Sequence, residues 1–332
     1  ASFGYDYTPN SGFWRKLSSG SFALERTPEA ARDVIKSVTA KWGTTVLTEH
    51  SYVTNDAGER ASVVQRGSLF ADYGADQGAT SVVYGYGSTG ELQSTVGYLG
   101  TGAGEAMPGR GYSFSYDTAG NRKTAGIDAE SVHYTDGAGQ PGANALNQVK
   151  QRGTLRTHVS GTAHPDAAVT VADGVVSRAS GSRYWDAVLE SWGRYSQVGL
   201  TATRYSQSQA AQVWAMVRPA QETFKYDEEG NLTEDALWKY EYDAENRLVR
   251  MTTRSVGELG TLGWSLSPPA RELSFKYDYL GRRVEKIARK DGAISFSRRF
   301  VYEGWNLMAE FELAGGAPNV RRSYAWGLDI QS

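Results

Sequence analysis

Along much of this chain apolar and polar residues alternate with a period of two, in short runs that stop at Asp, Asn or Gly. That is the pattern of half-buried strands joined by tight turns. In Phe224-Lys-Tyr226 and Phe275-Lys-Tyr277 the two aromatics fall on one face of a strand and the lysine on the other. Asp follows each tyrosine, and its carboxylate can accept backbone N–H groups within a turn. Gly three residues later fits the left-handed position of a type I turn followed by a bulge.

The phrase repeats. It reads Tyr116-Asp117-Thr-Ala-Gly120-Asn121, Tyr226-Asp227-Glu-Glu-Gly230-Asn231 and Tyr277-Asp278-Tyr-Leu-Gly281-Arg282. In Tyr242-Asp243-Ala-Glu-Asn246-Arg247, Asn replaces Gly, as the next residue that tolerates positive φ. Weaker copies begin at Phe3 (with a longer turn through Asn10), Tyr52, Tyr84, Phe300 and Tyr324. A unit that cannot bury its own apolar face must stack on its neighbours. The repeat therefore predicts an all-β chain of stacked hairpins.

Three stretches depart from the pattern. Residues 154–206 lack the repeat, yet Val169 and Val171 alternate, Asp173-Gly174 is a hairpin turn, and Val198 to Ala202 reads as a closing strand. This predicts a small immunoglobulin-like β-sandwich inserted between hairpin blocks at residues 1–153 and 207–332. Thr27-Pro28-Glu29 could open a helix, but the β-branched Val34, Ile35, Val38 and Thr39 favour strands joined by a proline turn. Glycines and Pro268-Pro269 mark a loop between Gly257 and Pro269.

Composition agrees. Among 332 residues there are 20 Tyr and 38 Gly, as aromatic strands and tight turns require. The absence of cysteine excludes disulfides and thiolate metal sites. A net charge of −2 gives no footprint for nucleic acid, and no apolar run is long enough to span a bilayer as a helix.

These residues resemble the YD-repeat, or Rhs-repeat, family. Asn144-Ala-Leu-Asn147, Tyr242-Asp-Ala-Glu-Asn246-Arg247-Leu248, Val301-Tyr302-Glu-Gly304-Trp305-Asn306-Leu307 and Tyr324-Ala-Trp326-Gly327-Leu328-Asp329 are similar to the segment just upstream of the core of bacterial Rhs-type proteins. The resemblance implies a hairpin ribbon that winds into a partial spiral shell. It also implies a fragment of a longer secreted or cell-surface protein, acting as a non-enzymatic scaffold that encloses or displays a C-terminal effector. Its partners would be the remainder of its own polypeptide or copies of itself. A second reading is a fibre, tube or adhesion protein made by head-to-tail stacking of hairpins. A third is binding of a cell-surface glycan through the insert, with Tyr184, Trp185 or Trp192 as stacking platforms.

Candidate chemistry is thin. His50, His133, His158 and His164 lack the helical spacing of a metalloprotease pair, and no serine sits in a Gly-x-Ser-x-Gly elbow. His164-Pro-Asp166 reads as a turn. The acidic groups Asp227-Glu228-Glu229 and Asp72 with Asp76 show no spacing that would converge oxygen ligands on a cation. No cofactor is implied. The residues singled out are those of the repeat itself: Tyr116, Asp117, Gly120, Tyr226, Asp227, Gly230, Tyr242, Asp243, Asn246, Tyr277, Asp278 and Gly281.

Overall fold

The computed structural model describes residues 3–9, 12–72, 78–179, 181–314, 317–324 and 326. Asn10, Asp76 and 327–329 lie outside them. Antiparallel hairpins account for almost every element, and among the described residues the structure is all-β apart from a 3-10 turn and one short helix. A thirteen-stranded sheet takes its strands in strict chain order from Gly4–Tyr7 to Gln151–Gly153, and then adds Gln221–Thr223. A nine-stranded sheet continues, again in chain order, from Lys225–Tyr226 to Ala317–Ser323. Across the gap between them, the Phe224 N–H donates to the Lys150 carbonyl at 2.9 Å, so the ribbon is effectively continuous.

Because consecutive strands pair, the turns alternate between two rims. The YD turns all fall on one rim. The insert, the helix and the Asp128 and Asp291 connections fall on the side of the other. Each YD turn is a tight turn followed by a register shift at the adjacent tyrosine or threonine, as at Val53/Thr54, Gly85/Tyr86, Glu241/Tyr242 and Lys276/Tyr277. The bulge anticipated from the glycine spacing is there.

The ribbon is thin. The accessible surface is 19169 Å², against roughly 13,400 Å² for a compact monomer of this mass. Most ribbon side chains are half-buried. Cross-strand ion pairs lie between them: Lys225 with Glu234 at 2.8 Å, Lys276 with Glu285 at 2.9 Å, and Glu272 between Arg250 and Arg289 at 2.8 Å each.

The insert is a β module, but its form differs from the expected sandwich. Six strands, from His158–Thr162 to Gln207–Val217, join edge to edge in one sheet rather than two facing sheets. The sheet curls so that Trp185, Leu189, Val198, Ala215 and Val217 share one core. The strand Gln207–Val217 belongs here and not to the second hairpin block. Its Val213, Ala215 and Val217 alternate into that core. The insert enters and leaves through paired strands, Gln151–Gly153 and Gln221–Thr223. At this neck the buried Glu222 is held by Arg152 Nε at 2.7 Å and by Arg218. The Pro28 region is strand, turn, strand, in Phe22–Pro28 and Ile35–Trp42. The loop expected from Gly257 carries the helix Val256–Thr261, opened by a Ser255–Glu258 capping box. Its Leu259 packs with Leu237 and Trp264 in a second core.

Candidate functional site

The repeat residues build one recurring device. The Asp117 N–H donates to the Asn121 carbonyl at 2.8 Å, and the Asp117 carbonyl accepts from Gly120 at 3.1 Å. Asp117 Oδ1 accepts from the N–H groups of Ala119 and Asn121 at 2.9 and 2.8 Å, and Oδ2 from the Asn121 amide at 3.0 Å. Gly120 has φ 85, and Gly230 and Gly281 have φ 89 and 78. A left-handed residue is required there, and Asn246, at φ 60, meets the same need. Asp227 is clamped by Asn231 in the same way, Asp243 by Arg247, and Asp278 by Arg282. The residue four after the aspartate is thus always a donor.

Two turns use the reverse chemistry. Asn55 and Asn144 replace the aspartate: Asn55 Oδ1 accepts from the Glu59 N–H, and Asn144 Oδ1 from those of Leu146 and Gln148. Their own Nδ2 groups donate to Glu59 Oε2 at 2.8 Å and Gln148 Oε1 at 3.3 Å. Donor and acceptor have exchanged places, and the clamp is preserved. The Asp136 turn shares the backbone part, with Oδ1 accepting from Ala138 and Gln140. The signal for these copies was the spacing from Asn or Asp to the left-handed residue, which is three in every case.

The tyrosines do something that the sequence did not suggest. Each hydroxyl donates to a carbonyl in the preceding unit, five residues after that unit's turn opener: Tyr86 to Arg60, Tyr116 to Leu92, Tyr226 to Val149, Tyr242 to Leu232, Tyr277 to Leu248 and Tyr302 to Arg283. These bonds are 2.8 to 3.1 Å long. Trp326 Nε1 takes the same role toward Leu307 at 2.7 Å. The arginine clamps face the next rung as well: Arg247 lies over the Tyr277 ring and Arg282 over the Tyr302 ring, each 5.3 Å from the centroid.

Charge follows geometry. The Asn121 amide and the turn N–H groups hold Asp117 below the usual aspartate range, and Arg247 does the same for Asp243. At Asp278 desolvation acts upward, but Arg282 and the turn N–H groups outweigh it, so the net shift is downward. Desolvation raises Tyr226, Tyr242 and Tyr277, keeping their hydroxyls as donors.

The residues named for glycan stacking are placed otherwise. Tyr184 is 1% exposed and Trp185 6%, so neither offers a ring face to a sugar. The Tyr184 hydroxyl donates to the Pro108 carbonyl at 3.0 Å, which docks the insert on the ribbon, and Trp185 fills the insert core. Trp192 is half-buried, with the Arg156 guanidinium 5.9 Å from its ring centroid. The same interface holds His158 Nδ1 at 2.6 Å from Asp186 Oδ2, and this hydrogen bond raises the His158 pKa against desolvation. On its other side the insert is tied to the C-terminal half of the ribbon: the Ser265 N–H donates to the Gly193 carbonyl, and the Tyr195 N–H to that of Leu266. Among the described residues no group of three or more His, Asp or Glu converges as a metal site. Asp72 pairs with Arg183, and Asp166 with Arg204.

No family model matches this chain, and no curated protein matches it in sequence. Among solved structures it is similar to a chain of the TcdB2-TccC3-Cdc42 crystal structure, at 11% identity and a TM-score of 0.36. That likeness covers 96% of this chain and 16% of the other, so this chain spans about a sixth of that one's length.

Proposed function

We propose that this protein is a non-enzymatic wall element of YD-repeat type, part of a secreted or surface-exposed scaffold that encloses or displays an effector carried by the same polypeptide. The observation that supports this most is the tyrosine ladder. The side chains that make the repeat distinctive are engaged in joining one hairpin to the next. A ribbon built this way can be lengthened unit by unit and still be stitched along one rim. Its surface, well above that of a compact monomer, is what a wall with two faces presents. The function is steric: such a wall separates what lies on one face from what lies on the other. The test is negative-stain imaging of the purified protein over a dilution series. Discrete, curved particles support the wall. Long regular filaments overturn it in favour of head-to-tail assembly.

A further inference from the structure

One of the insert's two outermost strands, Gln207–Val217, is unlike the outermost strands of the ribbon. It pairs with Arg194–Arg204 through eleven residues without a register shift. Its other side carries no backbone hydrogen bond among the described residues. Open edges are normally guarded by charge, proline, bulges or short length. The ribbon's outermost strands are guarded in these ways. Gly4–Tyr7 is four residues long and carries Asp6, and Ala317–Ser323 carries Pro318, Arg321 and Arg322. Gln207–Val217 reads Gln-Ser-Gln-Ala-Ala-Gln-Val-Trp-Ala-Met-Val, with no charge and no proline. All of Gln207 to Gln212 is exposed, as are Trp214 at 61% and Met216 at 41%.

We propose that this strand pairs antiparallel with the same strand of a second copy, about a two-fold axis through Gln212. The strand's own composition selects that partner. Its first half is small or amide-bearing, and its second half is apolar and, apart from Ala215, larger. A two-fold at Gln212 sets Ala210 opposite Trp214, Ser208 opposite Met216 and Ala211 opposite Val213, so a small residue faces a large one in each of these pairs. Gln212 faces its own copy, and no charge is buried. The hydrogen-bond phase agrees. Tyr205-Ser206 is a two-residue loop between the paired Arg204 and Gln207. The odd-numbered positions therefore bond inward to the neighbouring strand, and the even-numbered ones present N–H and C=O outward. The proposed register matches even with even. The result is one sheet running through both inserts, with the edge removed.

The full chain should show a concentration-dependent dimer mass in sedimentation. Ala210→Lys is exposed in the monomer and should leave its circular dichroism and Tm unchanged, yet raise the dimer dissociation constant roughly tenfold or more by setting a charge against Trp214. The chain has no cysteine, so single substitutions report the register directly. Across the axis two Gln212 Cα atoms would lie about 5.5 Å apart, within disulfide reach. Two Ser208 Cα atoms would lie roughly 27 Å apart. Gln212→Cys should crosslink under mild oxidation, and Ser208→Cys should not. A monomer mass at every concentration, or a dimer that Ala210→Lys leaves intact, overturns the proposal. So does equal crosslinking by the two cysteine variants.

Discussion

The Tyr226 hydroxyl donates to the carbonyl of Val149, 77 residues earlier, at 2.8 Å. The geometry is the same as between Tyr277 and Leu248. The ladder crosses the insertion point without a change of spacing, because the insert leaves and rejoins the ribbon on two strands that pair with each other.

Replacement of residues 155–219 by an Asn-Gly turn should therefore leave the ribbon folded. The Thr154 N–H already donates to the Ala220 carbonyl at 2.9 Å, and Asn-Gly closes a two-residue hairpin between residues bonded in this way. Circular dichroism and a cooperative melt would check it. Loss of cooperative unfolding would mean that the ribbon depends on the insert.

Tyr226→Phe should cost about 1 kcal/mol in urea unfolding, since it leaves the Val149 carbonyl without its donor. Tyr279→Phe changes a ring that is 89% exposed at a turn tip and should have no measurable effect. Equal effects from the two would show that the rung contributes nothing.

The clamp predicts a rescue. Asp117→Asn alone places an amide against the Asn121 amide and should lower Tm by ~2 °C. Adding Asn121→Glu recreates the arrangement of Asn55 with Glu59 and should restore the midpoint. A double variant no more stable than the single one would refute the donor–acceptor exchange.

The insert's dock should respond to pH. The His158 pKa is raised in the fold, chiefly by the hydrogen bond to Asp186, with Asp128 and Glu130 adding to it. The stabilisation is then full below the unfolded histidine value of about 6.5 and fades as pH rises through the folded value. Chemical denaturation at a series of pH values rising from about 6.5 should show this fall, and His158→Gln should flatten it. An unchanged slope in that variant would assign the dependence elsewhere.

Much of the ribbon was legible in the sequence. Alternation, the aspartate and the left-handed residue three later are local, and they fixed the hairpins and their turns. The copies opened by Asn55 and Asn144 were harder, because the clamp partner changes along with the opener. The ladder was not readable at all: a hydroxyl acceptor on a neighbouring unit depends on how units stack, and nothing in Tyr226 names Val149. The insert misled for a related reason. Tyr184 and Trp185 look like surface aromatics in a polar stretch, but one is satisfied by the Pro108 carbonyl and the other by a core that forms only when six strands curl together. Gln207–Val217 was assigned to the ribbon because its alternation does not say which sheet it joins. The helix Val256–Thr261 did have a local signal, Ser255 with Glu258, which the surrounding glycines obscured.

Every rung of the ladder runs from a later residue to an earlier carbonyl. During synthesis the acceptor of each rung has thus already emerged when its donor arrives, and the ribbon can be laid down in the order of translation without waiting for distant sequence. The one long pause falls between Val149 and Tyr226. At roughly 5–20 residues per second the growing rim stands ready for several seconds while the insert is made. Until then Val149 is the exposed front of an unfinished seam.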